Sequence, residues 1–68
     1  MKNNNIQENT VLRFETIKNT KYFFMLKGGW LWLFKNSDKK NPIDCIEYVK
    51  AENLNYNIQL LKENYFIK

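Results

Sequence analysis

Lys21-Tyr22-Phe23-Phe24-Met25-Leu26-Lys27-Gly28-Gly29-Trp30-Leu31-Trp32-Leu33-Phe34-Lys35 sets two aromatic runs on either side of a glycine pair. A two-residue hairpin turn of type I′ needs positive φ at both central positions, which glycine adopts without strain, so the stretch predicts a β-hairpin turning on Gly28 and Gly29. That turn fixes the register. Lys27 stands opposite Trp30, Met25 opposite Trp32 and Phe23 opposite Phe34 on one face; Leu26 stands opposite Leu31 and Phe24 opposite Leu33 on the other. Both faces are then apolar, whereas an antiparallel hairpin with one side in water normally shows one apolar and one polar face. Such a ribbon needs cover on both sides, and a chain of 68 residues is not expected to supply both.

Working outward, Met1 to Thr10 is polar and Asn-rich without a period, which reads as a flexible N-terminal arm (1–10) before a single β-rich domain (11–68). Leu12 and Phe14 alternate with Arg13 and Glu15 as far as Ile17, predicting a first strand that ends near Lys18, with Asn19-Thr20 connecting to the hairpin. Asn36 to Pro42 is a loop rich in turn formers. Residues 42–63 support two readings. Asn41 as N-cap with Pro42 after it could start a helix, while Cys45 to Val49 is rich in β-formers. Leu54 to Leu60 alternates apolar and polar residues and predicts a strand, although Leu54, Ile58, Leu61 and Tyr65 also fit a helical stripe. Lys62-Glu63-Asn64 then reads as a turn and Tyr65-Phe66-Ile67 as a last strand. The expected fold is mainly β, a small antiparallel sheet or meander of about five or six short strands around the 21–35 hairpin, with an α+β fold carrying one C-terminal helix as the alternative.

The chemistry is narrow. The absence of histidine removes histidine-based nucleophile systems and most transition-metal sites, and one cysteine adds no zinc site. Asp44 with Glu47, or Glu52 with Glu63, lies in no recognisable acid–base or metal motif, and Gly28-Gly29 is too short for a phosphate loop. The expectation is a protein with no catalytic residues, no metal and no cofactor. Cys45, alone, reads as a small buried hydrophobe in a reducing compartment; with no apolar leader behind Met1-Lys2, a cytoplasmic location is expected. Apolar runs interrupted by Lys27 and Lys35 are too short to span a bilayer, so a membrane location is not expected.

Eleven Lys and Arg against seven acids give a net charge of +4, which favours an acidic partner. The candidate binding set is therefore Phe23, Met25, Trp30, Trp32 and Phe34, rimmed by Lys21, Lys27, Lys35, Lys39 and Lys40. Aromatics among lysines can dock in a protein pocket, stack on unpaired bases or rest on a lipid surface. A homodimer through the spare face is compatible with each of these.

Tyr22-Phe23-Phe24-Met25-Leu26 and Trp30-Leu31-Trp32-Leu33-Phe34 resemble the second and third strands of a pleckstrin-homology domain, and Asp38 to Pro42 with Cys45-Ile46-Glu47-Tyr48 is similar to the loop and fourth strand of such a domain. The resemblance covers residues 21–48 and implies a lipid-binding or scaffold module. That family holds a phosphoinositide through a basic residue late in its first strand, where this chain has Lys18. Others lie just before the second-strand aromatics, where it has Tyr22 with Lys21 one position earlier. In size and composition the chain also resembles the small inhibitors that phages and mobile elements direct at host defence nucleases, anti-CRISPR proteins among them. That resemblance implies a stoichiometric blocker whose partner is a protein, a ribonucleoprotein nuclease being the concrete case. It would sit at the mouth of a substrate channel or on an RNA-bearing surface, with RNA or other nucleic acid contacted directly as the rival reading.

Overall fold

The structure, a computed structural model, describes residues 10–50 and 52–67. Four strands, β1 (Thr10–Ile17), β2 (Thr20–Lys27), β3 (Trp30–Lys35) and β4 (Asp44–Glu47), are followed by one helix, α1 (Leu54–Phe66). The strands form an open antiparallel meander in the order β1-β2-β3-β4, each paired with its neighbour in sequence. The hairpin has the expected register, with Phe23 opposite Phe34, Phe24 opposite Leu33, Met25 opposite Trp32, Leu26 opposite Leu31 and Lys27 opposite Trp30. Gly28 and Gly29 have φ of 63° and 81°, the left-handed pair that such a turn demands.

The β1–β2 turn falls on Lys18 and Asn19, with φ of 51° and 69°, so Thr20 already belongs to β2 and the expected Asn19-Thr20 connection moves back by one residue. Asparagine tolerates this conformation and sets the turn, with lysine drawn into it. Most of the N-terminal segment read as an arm lies outside the described residues, and its last member, Thr10, opens β1.

The C-terminal half takes the helical alternative, an antiparallel sheet with one C-terminal helix, in place of the further strands. Neither Leu54–Leu60 nor Tyr65–Ile67 is a strand: α1 takes in the first and continues to Phe66 with Ile67 as its C-cap, and the sheet has four strands rather than five or six among the described residues. The turn expected at Lys62-Glu63-Asn64 is likewise helical. Two asparagines explain the helix. Asn53 is its N-cap, its side-chain oxygen accepting from the Tyr56 N–H at 2.7 Å. Asn57, fully buried, accepts the Val49 N–H at 2.8 Å and donates to the carbonyls of Val49 at 3.1 Å and Asn53 at 3.0 Å. The amide thus satisfies the chain leaving β4 and clamps it to the first turn of the helix.

Phe24, Leu31 and Leu33 from the sheet meet Ile58 and Leu61 from the helix in the core, with Leu12, Tyr22, Ile43, Ile46, Tyr48, Leu54 and Phe66 packed around it. The helix is therefore the cover for one side of the ribbon, and the described residues supply no second element for the other side. It packs over β3 and β4. Two polar ties reach it from β1: Arg13 donates to the Asn55 side chain, and Lys62 pairs with Glu15 at 2.9 Å.

Candidate functional site

Sheet pairing alternates the two faces, so the set opposite α1 is dictated by register. Phe23, Met25 and Lys27 of β2, Trp30, Trp32 and Phe34 of β3, and Cys45 and Glu47 of β4 share the face away from the core. No described element lies across it. All five candidate aromatic and methionine positions are thus brought together, together with Lys21 and Lys27.

Their burial is uneven. Phe23 and Phe34 are only 3% and 8% exposed, and their rings stack face to face with centroids 4.9 Å apart and planes within 4°. Met25 and Trp32 are half-buried, and the Trp32 indole N–H is satisfied by the Lys27 carbonyl at 3.1 Å. Trp30, beside the glycine turn, is 44% exposed. The surplus of apolar surface is thus smaller than the sequence implies, and it is concentrated at the two ends of the face.

One residue absent from the sequence-derived set stands at the other end. Phe14 is 52% exposed, packs its ring 5.8 Å from Phe23 and carries the Lys21 ammonium 4.9 Å above it. Simple alternation puts Leu12 and Phe14 on one face. The register of β1 against β2 slips between Val11 and Arg13, so Leu12 turns to the core while Val11 and Phe14 lie opposite Met25 and Phe23. A bulge of this kind leaves no mark that alternation can read.

The lysines do not ring the face. Lys35 stands opposite Tyr22, on the helix side of the sheet, and Lys39 and Lys40 lie in the β3–β4 loop. The Asn36 N–H bonds the Lys21 carbonyl at 2.8 Å, which brings the exit of β3 beside the start of β2. Lys18, Lys21, Lys35, Lys39 and Lys40 consequently fall in or beside the segments at one end of the sheet, where an open depression is lined by Asn19, Thr20, Lys21, Lys35, Asn36 and Ser37. Asp38 is the acid among them. The Asn41 side-chain amide, and then the Lys40 N–H, hold its carboxyl below the ordinary range. At the far end Lys27 and Glu47 face the same side with opposite sign.

Burial pushes the Glu15 carboxyl up, but Lys62 and Arg13 together outweigh it and hold the group below its ordinary value. This cluster is structural, joining β1 to α1. Among the described residues no group of three or more His, Cys, Asp or Glu side chains could hold a metal ion, and no helix is long and apolar enough to cross a membrane. No family model, curated protein or solved structure matches the chain.

Proposed function

We propose that this is a non-catalytic binding protein that acts stoichiometrically, docking on another protein through the helix-free face of its sheet. The observation that carries the reading is the pairing of exposed Trp30 and Phe14 with half-buried Met25 and Trp32 on a face that no described element covers. Apolar patches of this kind, rich in tryptophan, are where small domains meet partners. Ring orientation favours a protein over unpaired bases. A stacking platform offers bare ring faces, whereas Phe23 and Phe34 each turn one face to the other, both rings being buried, and Phe14 carries Lys21 on one of its own.

The concrete form we propose is a phage-type, anti-CRISPR-like inhibitor of a host nucleic-acid-processing enzyme. It rests on likeness in size and make-up and on charge: a chain of +4 is attracted to an RNA-bearing or acidic surface and repelled by an empty basic channel. A second reading, the lipid or scaffold module of pleckstrin-homology type, draws on Lys21 and Lys35, which line the depression beside Asn19 and Ser37.

Affinity capture from lysate, compared for the wild type, Trp30→Ala and Trp32→Ala, tests the docking reading. The wild type should retain a protein in fixed stoichiometry, and each substitution should lose about 2 kcal/mol of affinity without loss of fold. Unchanged capture by both folded variants would sink it. Oligonucleotide binding that falls steeply with salt, or binding to phosphoinositide vesicles lost in Lys18→Glu, would award the function to a rival reading.

A further inference from the structure

β1 is an edge strand of eight residues, and its outer side pairs with no other strand among the described residues. The other edge, β4, is protected by being only four residues long. The helix packs over β3 and β4 and meets β1 through side chains on one face of the strand, Asn55 at Arg13 and Lys62 at Glu15, rather than pairing along its edge. In the middle of this edge sits Phe14, at 52% the most exposed aromatic side chain among the described residues.

Phe14 is flanked by Arg13 and Glu15, which share the opposite face of the strand and carry opposite charge. Inward-pointing charges normally guard an edge against pairing. Their order here is self-complementary. If two copies of β1 run antiparallel about a twofold axis at Phe14, Arg13 stands opposite the partner's Glu15 and Glu15 opposite the partner's Arg13. An axis at Arg13 or at Glu15 sets like charges against each other, and a one-residue slip sets open-face residues against helix-face residues. Arg13 has donors and Glu15 has lone pairs beyond those used in their present contacts. The bulge near Leu12 bends the strand beyond this point, so the ladder is short and the aromatic pair at its centre matters most.

We propose that the outer edge of β1 is a self-association site at which a second copy of this chain adds its own β1 antiparallel, Phe14 against the partner's Phe14. The row Phe34, Phe23, Phe14 then continues across the axis, and the two helix-free faces join into one surface of twice four strands. The proposal concerns a strand edge rather than the open face. Its failure leaves the docking reading standing.

Sedimentation equilibrium from micromolar to millimolar protein should show the mass rising from one chain to two. Phe14→Lys and Phe14→Glu should each weaken association at least about tenfold, by setting like charges on the axis, while an equimolar mixture of the two associates again. Amide exchange in the unaltered chain supplies a readout that needs no variant: protection should rise with concentration along β1. A wild type that stays a single chain at millimolar concentration overturns the proposal. So does a dimer that Phe14→Lys leaves intact, or a mixture of folded variants that stays monomeric.

Discussion

Trp30 and Leu31 are neighbours in β3, yet Leu31 has no exposure to water and Trp30 is 44% exposed. One peptide bond separates the face that holds the molecule together from the face available to something else. The covered side, with Phe24, Leu31 and Leu33 at its centre, is packed against Ile58 and Leu61 of α1. On the open side the buried members, Phe23 and Phe34, stack on each other, and the exposed members lie at its ends. Similar hydrophobicity on the two sides of one ribbon is therefore treated differently by the fold, and the position of a single helix decides which side is covered.

This division is open to attack by mutation. Leu31→Ala removes a side chain from the centre of the packed face and should cost about 2–5 kcal/mol in chemical denaturation, a large share of the stability of so small a domain. Asn57→Leu keeps the volume but orphans the Val49 N–H and C=O; a loss of about 2–3 kcal/mol is expected by the same measurement, with the helix detaching from β4 first in amide exchange. At the turn between the faces, Gly29→Val has room for its Cβ but not the backbone conformation, and should lower stability by about 1–2 kcal/mol.

Acid should have a smaller effect. The folded-state pKa of Glu15 lies below its ordinary value of 4.5, so its ion pairs contribute fully above that value and are lost as pH falls through the folded one. Thermal melts between pH 3 and 6 should show this as under about 1 kcal/mol, and Glu15→Gln should flatten the change. Smallest of all is the stability effect of Trp30→Ala, within about 0.5 kcal/mol, alongside its large effect on capture. A Trp30→Ala variant as damaged in melting as Leu31→Ala would erase the contrast between the faces.

The hairpin was legible residue by residue because glycine pairs and period-two alternation are local signals. The helix was hidden by the same rule. Leu54, Tyr56, Ile58 and Leu60 alternate with amides, and only the three-dimensional demand for cover on Phe24, Leu31 and Leu33 selects the helical alternative, leaving Tyr56 exposed. Asn53 is a cap and Asn57 a clamp, roles set by partners that apolar–polar alternation does not show. The candidate face was legible from the hairpin alone. Phe14 was not, because a bulge reverses facing without changing composition, and the lysine rim became a lysine end because Lys35 obeys strand parity rather than proximity in sequence.

The meander also dictates an order of events during synthesis. Every strand pairs with the one before it, so the sheet can assemble from local contacts as the chain emerges, whereas α1 comes after all four strands. Until residues 54–66 leave the ribosome, the nascent hairpin is sticky on both sides, and translational pausing before that point is when the chain is most exposed to aggregation and most in need of a chaperone.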